Sequence, residues 1–189
     1  TQRLANLLSE TMIRTTRAST SIRFPKREVT NVLFDQSPAE RELYESVTRL
    51  VRRLVQTQKE NRRGAIKLTL LTLQKEIGSS TFAAAPTLGK LLARETPGQA
   101  RVELEALLHR ARAIETNAKF EGIQKLLGSS RDKFVVFTQF RATLEFLARS
   151  LRALGVKTAV FHGALSLREK EAAIAQFKDR ARVLVSTEA

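Results

Sequence analysis

Apolar residues recur along this chain with two different periods, and the change of period divides it. Near the amino terminus Leu4, Leu7, Leu8 and Met12 follow a roughly helical spacing that Thr15, Thr16, Ser19, Thr20 and Ser21 interrupt, which predicts a short helix running into a connector. From 22 to 34 the order is β-branched and alternating around Pro25, so an extended segment is predicted. Ser37-Pro38-Ala39-Glu40 carries the signals of a helix start. The Ser37 hydroxyl can accept from a free amide, Pro38 suits a first helical position whose N–H has no partner, and Glu40 can complete a capping box. Behind it Leu43, Val47, Leu50, Val51, Leu54 and Val55 recur every three or four residues as one stripe to be buried, with Arg41, Arg49, Arg52 and Arg53 mostly on other faces. A second helix is predicted over about 65–77, stopped by Gly78-Ser79-Ser80, and further helical stretches over about 87–94 and 99–115, broken by Pro97-Gly98. Residues 37–116 therefore read as almost wholly helical.

The texture changes after Asn117. A short amphipathic helix carrying Phe120, Ile123, Leu126 and Leu127 ends at Gly128, and Phe134-Val135-Val136-Phe137 follows as a compact apolar strand. A helix over about 141–154 buries Leu144, Leu147, Leu151 and Leu154 and is closed by Gly155. Thr158-Ala159-Val160-Phe161 makes a second strand, Ser166 and Glu169 a capping box opening a helix to about 177, and Val183-Leu184-Val185 a third strand. Strand, helix, strand, helix, strand at this spacing predicts right-handed crossovers and a parallel sheet covered on both faces. In such a sheet ligands sit beyond the carboxyl ends of the strands, here Thr138-Gln139-Phe140, His162-Gly163 and Ser186-Thr187. These are short polar positions of the kind that meet a phosphate with hydroxyls, amides and free N–H groups, and equally of the kind that form ordinary strand-to-helix loops.

Composition narrows the chemistry. With 189 residues, 42% hydrophobic and 28% charged, the chain is long enough for one or two domains and of ordinary globular balance. A formal net charge of +14 favours an anionic partner. There is no cysteine, hence no disulfide, thiolate metal site or cysteine nucleophile, which fits a reducing, intracellular setting. Only His109 and His162 supply imidazoles, so a multi-histidine zinc site is excluded; His109, inside a charged helix, is expected to be exposed. No stretch approaches the roughly 20 apolar residues of a membrane span, and no signal peptide or membrane contact is expected.

Several motifs in order carry a resemblance. "VVFTQF" at 135–140, "FHGALSLREKEAAI" at 161–174 and "VLVSTEA" at 183–189 resemble the fourth motif, a following conserved stretch and the opening half of the fifth motif in the second RecA-like lobe of superfamily-two helicases, most of all of Swi/Snf-type DNA-dependent ATPases. Upstream, the stretch 11–47 resembles that family's connector between lobes, and "NAKFEGIQKLL" at 117–127 the helix that enters the second lobe. The resemblance implies an α/β fold: an incomplete RecA-like parallel-sheet lobe at 117–189, a helical protrusion at 37–116 and an interlobe connector at 1–36. It further implies that Thr138, Gln139, Ser186 and Thr187 touch the phosphates of a tracked DNA strand and that His162 and Gly163 shape a loop on the same side. Leu167 and Lys170 stand where the family often has Gln and Arg, and Arg14-Thr15-Thr16-Arg17 where it often has adjacent arginines.

The nucleotide machinery of that family is missing. No G-x-x-x-x-G-K-[ST] stretch exists, since Gly89-Lys90 is followed by Leu91, and no paired acidic magnesium motif is visible. The arginine-bearing sixth motif is absent as well. The chain thus reads as an internal slice of a larger enzyme that would use ATP and magnesium, with no complete cofactor site, metal site or catalytic residue of its own. Double-stranded DNA is the expected partner, a DNA-bound protein complex a further one, and self-association through an exposed sheet edge is expected. Two other readings stay open on sequence: a non-catalytic basic nucleic-acid-binding module, and the second lobe of an RNA helicase.

Overall fold

The computed structural model describes residues 26, 28–57, 63–95 and 97–187. By its internal contacts the chain divides into units 1–33 and 34–189. The predicted helix around Leu4–Met12 lies outside the described residues, and the described residues up to 37 form neither helix nor strand. Every helix and strand below belongs to the second unit.

Its helical part has four members. Helix α1, Pro38–Thr57, starts at the predicted capping box: the Ser37 N–H donates to Glu40 Oε2 at 3.0 Å and the Glu40 N–H to Ser37 Oγ at 3.3 Å. Helix α2, Arg63–Ser79, gives way without a loop to α3, Thr81–Arg94, because Ser80 at once takes an extended conformation and its hydroxyl accepts from the Ala83 N–H at 3.1 Å. The predicted start of α3 near 87 is therefore late. Pro86 marks not a beginning but an interior residue, whose missing N–H leaves a single rung of the helical ladder unmade. Helix α4, Gln99–Ala113, follows Pro97-Gly98 as predicted and ends slightly early. Leu43, Val47, Leu50, Leu70, Leu73, Leu88 and Leu104 interlock at the centre of these four helices with at most 2% of their surface exposed. Each such side chain contributes about 1.5–3 kcal/mol by leaving water.

The α/β part follows. Helix α5, Ala118–Ser129, is capped by Asn117, whose side chain accepts from the Phe120 N–H at 3.2 Å. Strand β1, Phe134–Thr138, helix α6, Arg141–Ala153, strand β2, Thr158–Phe161, helix α7, Leu167–Asp179, and strand β3, Val183–Thr187, complete the order. Helix α6 ends in a Schellman turn: Gly155 at φ +75°, its N–H on the Arg152 carbonyl at 2.9 Å and the Val156 N–H on the Leu151 carbonyl at 3.0 Å. Leu154, expected in the core, is 55% exposed at that cap. The Ser166–Glu169 box opens α7 as predicted.

The three strands are parallel in the order β1-β3-β2, with Thr138 opposite Thr187 and Phe161 opposite Ser186. An α/β fold with a small parallel sheet beside a helical region is thus what the chain forms. One expectation fails: the sheet is not covered on both faces. The crossover β1–α6–β2 steps outward and β2–α7–β3 steps back, so right-handed connections put the two helices on opposite faces. Helix α6 packs on all three strands, burying Val183 and Val185 with Phe134 and Val136, whereas α7 packs on β2. On that second face Val135 stays 45% and Phe137 70% exposed.

The two cores meet at a join. Phe82 of α3 stacks on Phe146 of α6 with ring centres 3.9 Å apart, and Phe120 meets Phe146 edge-on. Beside them the Thr143 hydroxyl shares hydrogen bonds with Ser80 Oγ at 2.7 Å and Ser79 Oγ at 3.1 Å. Glu40, 5% exposed, adds a link through Oε1 to the Asn117 side-chain amide at 3.2 Å and the Ala118 N–H at 3.3 Å.

Candidate nucleic-acid interface

Parallel strands bring their carboxyl ends to one edge, and the register here aligns the polar residues found there. Thr138 and Thr187 are direct neighbours, and because Phe161 pairs with Ser186, His162 follows beside Thr187. Side-chain alternation puts Thr138 and Thr187 on the α6 face, with Phe137, Ser186 and Phe161 on the α7 face. The six predicted residues are therefore brought to one edge but are presented differently. Gln139 and Gly163 are exposed, Thr138, His162 and Thr187 half-buried. Ser186 is buried, and its hydroxyl donates to the Thr187 carbonyl at 2.9 Å.

The His162 carbonyl accepts from the Leu165 N–H at 3.1 Å, closing the turn into α7, while Nδ1 is buried without a hydrogen-bond partner. A carboxylate does lie near this imidazole, although none is adjacent in sequence. Glu169 is held below the usual carboxylate range, first by the Ser166 hydroxyl and backbone N–H that donate to it, and to a lesser degree by the charge of His162. That places Glu169 in the cap of α7, where its hydrogen bonds to Ser166 hold the start of the helix.

Next to Thr138 and Gln139 opens a cleft of about 510 Å³, bounded by the end of α2, the start of α5 and the start of α6. Phe140 caps α6 with no side-chain hydrogen bond. The first amides of that helix therefore have no capping partner from it, and the positive end of the helix dipole is directed at the cleft. Lys75 and Lys119 also line it. Neither was singled out by motif reading: Lys75 stands on a helix far from the strand ends in sequence, and Lys119, although within the NAKFEGIQKLL stretch, belongs to a helix that precedes the first strand.

Other cations are engaged or lie elsewhere. Arg141 pairs with Glu145 at 2.8 Å, Arg110 with Glu42 at 2.8 Å, and Arg53 with Glu103. Arg52 is exposed, His109 is exposed as expected, and the side chains of Arg62 and Arg63 lie outside the described ones. Among the described residues no group of three or more His, Asp or Glu is placed to hold a metal ion, and no helix is long and apolar enough to cross a membrane.

Residues 118–189 match the family described as the helicase conserved C-terminal domain. The whole chain is 28% identical to an uncharacterised ATP-dependent helicase, YqhH, of Bacillus subtilis, and spans 33% of that protein's length. Its fold is similar to the SWI2/SNF2 ATPase core domain of Sulfolobus solfataricus, with a TM-score of 0.58 at 19% identity over 100% of this chain and 36% of that one. It is also similar to the C-terminal domain of the S. solfataricus ATPase, with a TM-score of 0.55 at 19% identity over 84% of this chain and 62% of that one. The same core solved in complex with dsDNA gives 0.54 at 19% identity, over 100% of this chain and 37% of that one. The motif resemblance is thereby borne out: a helicase C-terminal domain, a relationship to an ATP-dependent helicase, and the fold of a second RecA-like lobe.

Proposed function

We propose that this chain, which carries a helicase C-terminal domain, is the part of an ATP-dependent double-stranded DNA translocase that grips the nucleic-acid backbone and closes on its partner lobe, with the nucleotide held by residues outside it. In this reading 1–36 is the interlobe connector, 37–116 a helical protrusion and 117–189 the second lobe. The observation that carries it is the single edge on which Thr138 and Thr187 stand side by side in register, with His162 directly after the neighbouring strand and an uncapped helix start next to them, in a chain of net charge +14. Hydroxyls, a side-chain amide and backbone N–H groups directed at one line are what phosphate contact requires, and they carry no base sequence. Thr138, Gln139 and Thr187 supply those donors, His162 and Gly163 shape the adjoining turn, and Ser186 braces Thr187 from beneath. The solved relative bound to dsDNA supports duplex DNA as the partner. Edge strand β1, with Val135 and Phe137 exposed, supports self-association of this chain.

The test is hydrolysis of ATP by the whole protein with duplex DNA, single-stranded DNA or duplex RNA, together with duplex binding by this chain. Stimulation by duplex DNA, no turnover by the 189 residues alone, and weakened binding by Thr138→Ala at unchanged melting temperature are the expected results. Stimulation by duplex RNA instead would move the assignment to an RNA helicase, since A-form and B-form grooves differ in width and in 2′-hydroxyls. Binding without any stimulated turnover would leave a non-catalytic module, the reading that the missing phosphate loop also favours.

A further inference from the structure

We infer that Lys75 and Lys119 turn the cleft beside Thr138 into a seat for a backbone phosphate of a nucleic acid, so that the helical region and the sheet grip the same strand; the inference rests on the nucleic-acid reading above. Each wall contributes a different donor. From the sheet come Thr138 and Gln139, from α6 its uncapped amino end, from α2 Lys75 and from α5 Lys119. Both ionisable side chains that line the cleft are lysines, and no carboxylate lines it. Lys75 is exposed and, among the described residues, pairs with no carboxylate.

One wall opposes an anion. The carboxyl end of α2 contributes Gly78 and Ser79, and a helix terminus of that kind presents partial negative charge. Lys119 answers it: its ammonium donates to the Gly78 carbonyl at 2.5 Å, neutralising that end, and two of its three N–H donors remain for an arriving phosphate. A volume near 510 Å³ exceeds what one free phosphate fills, and the polar row continues from the cleft along the strand ends to Thr187 and His162. The arrangement therefore suits a phosphate that is one of several along a strand rather than an isolated ion.

The experiment is fluorescence polarisation of a short labelled DNA duplex with this chain across a salt series. Lys75→Gln and Lys119→Gln should each weaken binding about three- to tenfold and lower the slope of log affinity against log salt by about 0.9, and Lys119→Arg should restore both. Lys178→Gln removes the same charge at the far end of α7, beside the opposite edge of the sheet, and should leave the slope as it is. If Lys119→Gln lowers the melting temperature through the lost Gly78 bond, Lys75→Gln, which has no such bond to lose, decides. A double lysine variant that binds like the unaltered chain while Thr138→Ala weakens binding would overturn the lysine cleft and leave the functional reading standing. Failure of the unaltered chain to bind duplex at all would overturn that reading, and this inference with it. Lysine-dependent binding of inorganic phosphate or ATP, with duplex affinity independent of the lysines, would overturn the choice of a backbone phosphate.

Discussion

Glu40 serves three donors from a position only 5% exposed: the Ser37 N–H, the Asn117 side-chain amide and the Ala118 N–H. Removing it leaves those donors facing a gap that water reaches poorly, so Glu40→Ala should destabilise the chain by about 2–3 kcal/mol, read as a lower urea midpoint at unchanged m-value. A loss well under 1 kcal/mol would mean that water satisfies the three groups instead. Glu76 works in the opposite sense. Burial raises its pKa above the ordinary 4.5, against the lowering effects of a hydrogen bond from Thr87 and the charge of Lys90, and its Oε2 has no partner. A carboxyl raised on folding resists ionisation in the native state. Below 4.5 it is protonated in both states and costs nothing; above the raised folded value it is ionised in both, and folding bears the whole penalty. Glu76→Gln should therefore raise the melting temperature at pH 7, with the advantage closing as the pH falls toward 4.5. An advantage that does not change with pH would show that packing, not charge, separates the two side chains.

At the scale of elements, adjacent positions on β1 should behave oppositely. Val136 faces the core under α6 and Phe137 the open face. Val136→Asp should cost more than about 3 kcal/mol and Phe137→Asp less than about 1, a contrast that equilibrium denaturation resolves. Equal costs would mean that the open face is covered in solution. The sequence reads most of this architecture, because its elements carry local signals: the Ser37 and Ser166 boxes, Gly155, and the apolar runs of the three strands. What it does not read are long-range facts. Nothing local says that β3 lies between β1 and β2, and it is this order that puts Thr138 beside Thr187 and leaves one face of β1 bare. The start of α3 is missed because Ser80 ends one helix and caps the next, a double role that looks like a stop signal when only the helix behind it is considered. The candidate site divides the same way: Thr138, Gln139 and Thr187 follow from strand ends, while Lys75 and Lys119 reach the cleft only through packing.

For the molecule as a whole, the bare edge of the sheet carries an expectation about behaviour in solution. Sedimentation velocity should show mass rising with concentration for the unaltered chain and a monomer for Phe137→Asp; a monomer throughout would remove β1 as a self-association edge. The join between the two cores has a mechanical meaning. Helix α6 begins at the cleft, and along its length it is fastened to α3 by the Phe82–Phe146 stack and the Ser80–Thr143 hydroxyl pair. Through α3 it engages α2 and α4, and through them α1, a rod of about 30 Å. A load on the first turn of α6 is therefore borne not by the sheet alone but also by α3, through the stacked rings and the paired hydroxyls.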